Sequence, residues 1–386
     1  MSDGDPHPPR AVVTPNLEAI RPTHFPWFDY ARYTFSLGLR RGPSAWLSGH
    51  SASEYDPADG HIVVKGGMGE QTRTAYAKIA AILSAADRSF GDVRRVVEYV
   101  TADGIEDYAD AAAVRREVCG DGTPAVCTVV VNRLLRPQAL IEIEVTAGPP
   151  GDVVYLPSLT AIRDDGSVDA DGDLVGQTRV VFEKAARLLE AAGLSMRNVV
   201  KTLDYTTPAT LADYRKTGRV RKDMLGPVYP AAAGILLSRL QHPDALVSLD
   251  VIASRADPVP VNPGWERYAK LTYSPAVRAG SMLFLSGQAA LDPTTEKAVH
   301  PGDVAAQAEY TYTNILEVLR AAGAGPENLV KTIEYVTPAG LARYRDVAAV
   351  RERLLKEPYP ASTGAICEAL LRPEFEIEID PLAILD

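Results

Sequence analysis

One segment of this 386-residue chain occurs three times with the same layout. It reads RVVEYVTADGIEDYADAAAVRR at residues 95–116, KTLDYTTPATLADYRKTGRVRK at residues 201–222 and KTIEYVTPAGLARYRDVAAVRE at residues 331–352. Internal repetition constrains a fold strongly, because each copy must form a similar unit and the units can bury one another's faces. The sequence therefore predicts three copies of one structural unit in a single chain.

The register of the copies extends well beyond this segment. Gln71, Gln177 and Gln307 are separated by 106 and 130 residues, and the same two separations recur at five further positions. The copies therefore align without an internal gap from this glutamine to a late proline. The five positions are Tyr99, Tyr205 and Tyr335; Tyr108, Tyr214 and Tyr344; Arg115, Arg221 and Arg351; Pro124, Pro230 and Pro360; and Pro137, Pro243 and Pro373.

The copies differ where they begin. Repeat 1 opens with WFDYARYTFSLGLRRGPSAWLSGH and repeat 3 with WERYAKLTYSPAVRAGSMLFLSGQ, whereas repeat 2 starts at VVYLPSL and has lost the corresponding first strand. We assign residues 26–150 to repeat 1, residues 151–258 to repeat 2 and residues 259–386 to repeat 3. Residues 1–25 are rich in proline and polar residues, which predicts a flexible N-terminal arm.

Each copy shows the same order of predicted elements. In repeat 2, Phe182, Ala185 and Leu189 recur at helical spacing, and Gly193 follows as the cap. An alternating strand, a second helix and two further strands come next, and the last strand separates apolar residues from carboxylates, as in FEIEID of residues 375–380. The unit is an α+β sheet with two helices on one face. The opposite sheet faces are predicted to pack on one another.

The composition limits the class of protein. A net charge of −10 and a pI near 5.2 argue against a nucleic-acid partner, which requires a basic surface. No apolar run reaches transmembrane length and no signal peptide follows Met1, so no membrane partner is predicted. Three scattered cysteines form no disulfide framework, which favours a cytoplasmic protein. The histidine spacing and the lack of a glycine-rich phosphate loop predict neither a metal nor a cofactor.

The order of motifs in repeat 3, YSPAV, SGQ, DP, VK and EIE, resembles that of the RidA (YjgF) family of reactive-intermediate deaminases. The resemblance extends over about residues 265–385 of repeat 3, about 27–148 of repeat 1 and about 152–256 of repeat 2, where the motifs are weaker. Family members are one repeat long and form trimers. The resemblance implies a covalent pseudo-trimer around a central β-barrel, with ligand clefts between the repeats, and is compatible with further homo-oligomers.

The chemistry of the family is the cofactor-free hydrolysis of imines and enamines, in a pocket where one arginine binds the substrate carboxylate. The corresponding positions here are Val126, Ala232 and Ser362, so no copy keeps this arginine. Arginine binds a carboxylate through two parallel hydrogen bonds, which these side chains cannot form. The resemblance implies a small-molecule substrate, whereas the missing arginines favour a non-standard one.

Family pocket positions nominate four catalytic residues. Glu142 and Glu378 on the last strands would activate water and relay a proton, although alternating carboxylates are also typical of a solvated strand face. His50 would carry protons near neutral pH, and Tyr273 would donate a hydrogen bond in the cleft. The predicted substrate-binding residues, with Arg133 as a substitute cation, are Ser48, Gly49, Thr128, Arg133, Ser286, Gly287, Gln288 and Ser362.

Three functions are compatible with these residues. The first is hydrolytic deamination of an imine or enamine in a cleft lined by repeats 1 and 3, because repeat 2 has lost the most family motifs. The second is hydrolysis of an enol ether, as in the chorismatases, which have a similar fused core and a dicarboxylate substrate. The third is a non-catalytic module that binds a metabolite or a partner protein.

Overall fold

The computed structural model describes residues 16–120 and 124–385, in which each repeat forms one β-sheet with helices on one face. Repeat 1 contains a long first helix and a sheet of short and long strands. Its elements are β1 (Glu18–Ala19), β2 (Gly38–Arg41), β3 (Ser44–Leu47), β4 (His50–Ser51), β5 (Glu54–Asp56), β6 (His61–Val63), α1 (Met68–Ala85), β7 (Val93–Thr101), α2 (Tyr108–Cys119), β8 (Ala125–Val131), β9 (Arg133–Leu134) and β10 (Ile141–Ala147).

Repeats 2 and 3 follow the same order, with fewer strands in repeat 2. Repeat 2 contains β11 (Val153–Tyr155), β12 (Leu159–Thr160), α3 (Leu174–Ala191), β13 (Val199–Thr206), α4 (Leu211–Tyr214), α5 (Gly218–Leu225), β14 (Ala231–Leu236) and β15 (Ser248–Ser254). Repeat 3 contains β16 (Val259–Val261), β17 (Ala276–Ala279), β18 (Met282–Leu285), β19 (Gln288–Ala289), α6 (Val304–Ala321), β20 (Leu329–Val336), α7 (Pro338–Leu341), α8 (Val347–Leu354), β21 (Ala361–Ile366), β22 (Ala369–Leu370) and β23 (Ile377–Ile384). Across the described part of the chain, no helix combines the length and apolar character needed to cross a bilayer.

The same three strands form the centre of every sheet. In repeat 1, β10 runs antiparallel to β7, and β7 runs parallel to β8. The same arrangement is formed in repeat 2 by β15, β13 and β14, and in repeat 3 by β23, β20 and β21. A parallel pair needs a crossover connection, which α2, α4–α5 and α7–α8 provide. Repeats 1 and 3 extend the sheet by a β-hairpin, whereas in repeat 2 only the single short strands β11 and β12 pair with β15.

The repeated glutamine fastens the long helix of each unit to its sheet. The side-chain oxygen accepts a hydrogen bond of 2.8 Å from a backbone N–H just before the last strand, and the amide donates to a carbonyl of the same loop. A buried polar group without a partner would cost about 1–3 kcal/mol, so this residue supports the fold. The pairs are Gln71 with Leu140, Gln177 with Leu246, and Gln307 with Glu376.

The sheet faces opposite the helices meet one another. One hydrophobic cluster contains buried residues of all three repeats, among them Tyr99, Tyr205 and Tyr335. The hydroxyls of Tyr205 and Tyr335 lie 2.8 Å apart and share a hydrogen bond. Cys127 belongs to the same cluster, and burial raises the pKa of its thiol to about 12. The repeated tyrosine and this cysteine are therefore core residues.

Three buried ion pairs join the repeats in a ring. Each pair combines a cation on the central strand of one repeat with a carboxylate on the last strand of the next, and both partners are largely excluded from solvent. Removing one partner of such a pair leaves an uncompensated buried charge, which costs about 3–5 kcal/mol. The pairs are Arg95–Asp250 at 3.1 Å, Lys201–Asp380, and Lys331–Glu144 at 2.7 Å.

The described residues form three large open sheets, a separate two-stranded sheet of β5 and β6, and no closed barrel, which differs from the expected central β-barrel. Two short strands connect the sheet edges: β9 of repeat 1 pairs with β21 of repeat 3, and β22 of repeat 3 pairs with β14 of repeat 2. An isolated bridge between Ser36 and Ala361 adds one contact. The sheets associate through side chains on their inner faces, whereas a barrel requires a continuous backbone hydrogen-bond ladder.

The prediction of a flexible arm over residues 1–25 is wrong for its last part. Residues 1–15 lie outside the described residues, but Glu18–Ala19 pair with β2 and Ile20 is buried. The ring of Phe25 meets those of Trp27 and Phe28 edge-on, with centroids 5.0 and 5.2 Å apart. These apolar anchors are separated by polar residues and prolines, so they show no periodicity that a sequence pattern could reveal.

Candidate functional site

A serine–glycine turn of repeat 3 binds the parallel strand of repeat 2. The Ser286 hydroxyl accepts a hydrogen bond of 2.8 Å from the Ala232 N–H and donates one of 2.6 Å to the Ser274 carbonyl. The Gly287 N–H donates a hydrogen bond of 3.0 Å to the Ala232 carbonyl. These bonds hold β14 against the turn that precedes β19. Because β19 pairs with β23, they also bring Glu378 of β23 to the boundary between the two repeats.

Repeat 1 makes the same contact with repeat 3. The Ser48 hydroxyl accepts a hydrogen bond of 2.8 Å from the Ser362 N–H and donates one of 2.6 Å to the Ser36 carbonyl. The Gly49 N–H donates to the Ser362 carbonyl at 3.2 Å and to the Thr363 hydroxyl at 3.0 Å. The predicted residues Ser48, Gly49 and Ser362 thus lie together, and we call their contact the 1–3 interface.

Repeat 2 contacts repeat 1 through a different residue. The Ser158 N–H donates a hydrogen bond of 3.1 Å to the Val126 carbonyl, so Ser158 takes the place that glycine has in the other two turns. Its hydroxyl accepts a hydrogen bond of 3.2 Å from the Thr128 N–H and donates one of 2.6 Å to Asp250. The last strand carries Ser248 at the position of the glutamate. The predicted residue Thr128 therefore lies at an interface without that acid.

The glutamate side chain leaves space only for a glycine in the turn beside it. A Cβ atom on Gly287 would lie 2.3 Å from Oε1 of Glu378, and a Cβ atom on Gly49 would lie 2.2 Å from Oε1 of Glu142. Both distances are far inside van der Waals contact. A turn residue with a side chain therefore excludes the glutamate, and the interface between repeats 1 and 2 has exchanged both residues together.

A cavity of about 870 Å³ lies between repeats 2 and 3, and we call it the 2–3 cleft. Repeat 2 contributes residues of β14, α4 and α5, and repeat 3 contributes the Gly287 turn and residues 265–273, apart from 266 and 269. Of the predicted residues, Glu378, Tyr273 and Gln288 also line it. The repeat with the most motif losses thus forms one wall, because each cleft combines the turn and acid of one repeat with the strand and helices of another.

Glu378 is a buried acid on the wall of the 2–3 cleft. Its side chain is 7% exposed, so it does not lie on a solvated strand face, which the alternation of carboxylates also allowed. Burial, followed by the charge of Asp380, raises the pKa of Glu378 to about 8, although Lys201 and the Gly234 N–H oppose this shift. The carboxyl group is therefore largely protonated at pH 7 and can donate a proton.

Aromatic residues form the repeat 3 wall of the cleft. The ring of Tyr273 meets Tyr268 edge-on with centroids 5.4 Å apart, and Tyr268 stacks on Trp265 at 5.9 Å. Burial raises the pKa of Tyr273, so its phenol stays protonated at pH 7 and can donate a hydrogen bond. Gln288 is buried, with its amide nitrogen 3.4 Å from the Ser286 carbonyl. The three aromatic residues also line a second cavity of about 390 Å³.

The 2–3 cleft is basic, although the chain as a whole has a net charge of −10. Seven basic residues line the cleft against three acidic ones. Sequence reasoning missed them because it searched for a substitute arginine beside the lost one. The sequence segments that could have revealed these basic residues are GRVRK at residues 218–222 and WER at residues 265–267, where repeat 1 has WFD. The lining contains Arg215, Arg219, Arg221, Lys222, Arg267, Lys270 and Arg372, with Asp204, Glu296 and Glu378.

One of these cations is already neutralised. Arg221 forms a buried ion pair with Asp204, which also accepts a hydrogen bond of 2.8 Å from the Tyr214 hydroxyl. The same trio forms in every repeat, so its role is structural. The equivalent residues are Glu98, Tyr108 and Arg115 in repeat 1, and Glu334, Tyr344 and Arg351 in repeat 3.

Glu142 at the 1–3 interface is also a buried acid. Burial, followed by the charge of Glu144, raises the pKa of Glu142 to about 8, and Lys78 opposes the shift. The Lys78 amino group donates a hydrogen bond of 2.7 Å to the Ser51 carbonyl, and burial lowers the pKa of Lys78 to about 7. In repeat 3 the Lys78 position is Asn314, so the two acids have different neighbours.

His50 is not placed to carry protons. It is buried, with Nε2 3.4 Å from the Leu37 carbonyl, and its ring centroid lies 6.3 Å from that of Phe25. Burial, followed by the charge of Lys78, lowers the pKa of His50 to about 3. The imidazole is therefore neutral at physiological pH. This placement conflicts with the expected role, because a proton carrier must titrate near neutral pH.

Arg133 does not replace the lost arginine in the 2–3 cleft. It lies on β9, opposite Ile366 at the edge of the repeat 3 sheet, and its Nε is 3.4 Å from the Leu134 carbonyl. It is not among the residues that line the 2–3 cleft. Within residues 16–120 and 124–385, no three histidine, cysteine or acidic side chains converge closely enough to hold a metal ion.

Comparison with known proteins assigns the family. The sequence profile described as endoribonuclease L-PSP matches residues 30–148, 150–255 and 266–385. The chain belongs to the endoribonuclease L-PSP family. Because the profile matches this L-PSP protein three times, both the predicted triple repeat and the predicted resemblance are confirmed.

Relatives align with about one repeat of this L-PSP protein. A RutC family protein of Synechocystis sp. is 31% identical over 139 residues, 36% of this chain and 98% of the relative. The chloroplastic Reactive Intermediate Deaminase A of Arabidopsis thaliana is 33% identical over 148 residues, 38% of this chain and 78% of the relative. The 2-iminobutanoate/2-iminopropanoate deaminase of Bos taurus is 34% identical over 112 residues, which are 29% of this chain and 79% of the relative. A chorismatase crystal structure superimposes with a TM-score of 0.49 at 18% identity, covering 76% of this chain and 93% of that chain.

Proposed function

We propose that this L-PSP protein is a cofactor-free enzyme that hydrolyses an imine or enamine of a small molecule in the 2–3 cleft. The observation that carries the proposal is the buried Glu378 carboxyl, whose pKa is raised to about 8 and which rests on the Gly287 turn at the wall of a cavity of about 870 Å³. An acid that exchanges protons near the working pH meets the main condition for general acid–base catalysis. The names of two relatives, both deaminases, support the same reaction class.

Glu378 acts first as an acid and then as a base. Its carboxyl group donates a proton to the imine nitrogen, or to the β-carbon of an enamine, and the resulting iminium carbon becomes electrophilic. Water adds to that carbon, and the Glu378 carboxylate takes the proton that the water loses. The carboxyl group then protonates the nitrogen, the C–N bond breaks, ammonia leaves and the new carbonyl returns its proton to Glu378. One water is consumed, one ammonia is released, and Glu378 ends in its starting state.

The other predicted residues of the 2–3 cleft bind the substrate. The Tyr273 phenol and the Gln288 amide are hydrogen-bond donors on the repeat 3 wall. Ser286 and Gly287 hold the turn on which the acid rests. The Ser286 hydroxyl bonds to β14 and to the Ser274 carbonyl, and the Gly287 N–H bonds to β14, so the part of both residues is to fix the position of the acid against the substrate.

We also propose that the three repeats form a covalent pseudo-trimer, which the ring of buried ion pairs supports. A disulfide between Arg133→Cys and Ile366→Cys, which lie opposite each other on the paired strands β9 and β21, tests whether the contacts form within one chain. The expected product on a non-reducing gel has the mass of one chain, 41.5 kDa before substitution. A product of twice this mass would instead show that repeats are exchanged between chains.

Hydrolysis of an enol ether is a second candidate, and the basic lining of the 2–3 cleft favours it. Protonated Glu378 would donate its proton to the vinyl carbon, water would add to the oxocarbenium carbon, and the hemiketal would release an alcohol and a ketone. Seven basic residues facing three acidic ones suit a substrate with several negative charges. The non-catalytic binding module is the alternative if neither substrate class is turned over.

Ammonia release from 2-aminoacrylate and 2-iminobutyrate generated in situ tests the proposal. A single-repeat family member is the positive control, and Glu378→Gln is the matched variant because it keeps the size of the side chain and removes its proton exchange. We expect the wild-type chain to accelerate release and the variant to lose this acceleration. No acceleration by the wild type beside an active control contradicts imine hydrolysis, and the same pair of proteins is then assayed with enol ethers.

A further inference from the structure

The side chain of Arg267 lines the 2–3 cleft without a full set of partners. Its Nε atom is buried and has no hydrogen-bond partner within the described residues, 16–120 and 124–385. The nearest carboxylate oxygen, Oε2 of Glu296, lies 4.0 Å away. A buried guanidinium N–H that binds nothing costs free energy, and a ligand with an acidic group would supply the missing acceptor.

The Arg267 guanidinium is held in place by aromatic rings. It stands over the ring of Tyr268 at 5.0 Å from the centroid, a distance typical of a cation–π contact. Tyr268 is itself fixed between Trp265 and Tyr273. An arginine supported in this way loses little conformational entropy when it binds an anion, because its side chain is already ordered.

Arg267 and the acid Glu378 both influence the phenol of Tyr273. Burial is the main cause of its raised pKa; the Arg267 charge opposes the shift and the Glu378 charge adds to it. Tyr273 therefore lies within electrostatic reach of both groups. A ligand that occupies the cleft beside Tyr273 would meet a cation on one side and a proton donor on the other.

The charges around Arg267 are particular to this cleft. Across the cavity, Arg219 and Lys222 of repeat 2 face the repeat 3 wall. At the 1–3 interface the positions equivalent to Arg267, Arg219 and Lys222 are Asp29, Ala349 and Glu352. Three cations are thus replaced by two carboxylates and an alanine. At these three positions an anionic ligand would meet three cations in the 2–3 cleft but two carboxylates at the 1–3 interface, which favours the 2–3 cleft.

We propose that Arg267 is the residue that binds the substrate carboxylate in the 2–3 cleft, and that the surrounding charges restrict this ligand to that cleft. The inference deepens the proposed function and rests on it for the location of the site. Arg267 belongs to the same repeat as the acid Glu378. It lies in the segment before β17, where the resemblance leads us to expect no arginine. Nε and one Nη of the guanidinium offer two parallel donors to a carboxylate.

Calorimetric titration of the full chain with 2-oxobutanoate tests this inference without turnover. The neutral amide 2-oxobutanamide is the matched ligand, and inorganic phosphate separates a carboxylate site from a phosphate site. Arg267→Gln removes the charge, and Arg267→Lys keeps the charge but loses the planar fork. Arg278→Gln is the control variant, because Arg278 is exposed on β17 outside the cleft.

We expect the wild type to bind 2-oxobutanoate more tightly than the amide. Arg267→Gln should weaken binding of the anion roughly 10- to 100-fold, the value of one charge-assisted hydrogen-bond pair, while the amide is unaffected. Arg267→Lys should fall between the two, and Arg278→Gln should match the wild type. Each variant is first shown to unfold at the wild-type temperature, so that a loss of affinity is not a loss of fold.

Three results would overturn the inference. They are unchanged affinity of Arg267→Gln for 2-oxobutanoate, equal affinity of the wild type for the acid and the amide, and no binding of any of the three ligands by the wild type. Tighter Arg267-dependent binding of phosphate would overturn the carboxylate assignment. The proposed function fails separately: if Glu378→Gln keeps full turnover, the acid is misassigned even where binding depends on Arg267.

Discussion

The 2–3 cleft and the 1–3 interface have the same framework but differ in charge at three positions, where Arg267, Arg219 and Lys222 of the cleft correspond to Asp29, Ala349 and Glu352. In both, a serine–glycine turn binds the parallel strand of the neighbouring repeat, and a buried glutamate has a pKa raised to about 8. The framework is kept because its hydrogen bonds and ion pairs join the repeats, and their loss would cost stability. Side chains that contact only a ligand carry no such cost, and at those positions the two sites have diverged.

One hydrogen bond joins the two repeats at the 1–3 interface and has no equivalent in the 2–3 cleft. At the 1–3 interface, Nε of Arg351 donates to Oγ1 of Thr34 at 3.0 Å and ties repeat 3 to repeat 1. The equivalent pair in the 2–3 cleft is Arg221 and Thr272, but Arg221 bonds within repeat 2 and Thr272 lines the cavity. The same two residue types therefore join the walls of one site and leave the other accessible.

The largest difference between the two sites is expected in catalysis. Glu378→Gln should lower the rate of ammonia release by about 100-fold or more, which is the usual contribution of a general acid–base group. Glu142→Gln should keep the wild-type rate, because Asp29 stands at the 1–3 interface where the 2–3 cleft has the proposed carboxylate-binding Arg267. Turnover numbers of both variants at saturating substrate provide the measurement. Equal losses in the two variants would mean that both sites work.

The buried ion pairs Lys201–Asp380 and Lys331–Glu144 should contribute similarly to the free energy of unfolding. Lys201→Met leaves Asp380 buried without a partner and should lower the free energy of unfolding by about 3–5 kcal/mol. Lys331→Met, which does the same to Glu144, should cost a similar amount. Urea unfolding measures both, with Lys216→Met as a control on an exposed ion pair. A loss for Lys201→Met no greater than that of the control would contradict the buried ring.

The glycine of each turn should be required for the glutamate beside it. Gly287→Ala and Gly49→Ala place a Cβ atom 2.3 and 2.2 Å from a carboxylate oxygen, and each should cost about 1–3 kcal/mol of stability. Only Gly287→Ala should also reduce turnover, because it displaces Glu378. Gly69→Ala is the control, since its Cβ would make only an ordinary contact at 3.7 Å. Normal turnover in Gly287→Ala would contradict the position assigned to the Glu378 carboxyl group.

A pH dependence of stability is expected from both sites. The pKa of Glu378 and of Glu142 is 4.5 in the unfolded chain and about 8 in the folded one, so the folded state binds more protons between these values. The contribution of these two groups to the free energy of unfolding should therefore fall as pH rises from about 4.5 to 8. The double variant Glu378→Gln with Glu142→Gln should flatten this fall in urea titrations. Turnover should also decrease above pH 8, where the acid form of Glu378 is lost.

Much of each unit was predictable from local patterns. The helical spacing of Phe182, Ala185 and Leu189 predicted α3, because a helix buries one stripe of side chains. The alternation in the last strand placed Glu378 on the face opposite the helices, since successive residues of a strand point to opposite sides. The alternation could not show whether that face meets water or another sheet. Its burial depends on residues that are distant in sequence.

The position of the 2–3 cleft was not predictable in the same way. Motif counting treated repeat 2 as the weakest unit, yet its α5 and β14 form one wall of the 2–3 cleft. Arg267 and Arg219 are separated by 48 positions in sequence, and only the docking of repeat 3 on repeat 2 places them around one cavity. The family arginine, by contrast, is a single position within one repeat, and its loss was visible directly.

The amino-acid sequence by itself determined that this protein is three copies of one L-PSP unit, because register and periodicity are properties of the chain. Only the tertiary structure decided which interface opens into a cleft and what charge the cleft carries. The physical reason is that a cleft between repeats takes its acid, its cations and its walls from different units. Burial, which raises the pKa of Glu378 and leaves the Nε of Arg267 without a partner among the described residues, exists only once those units are in contact.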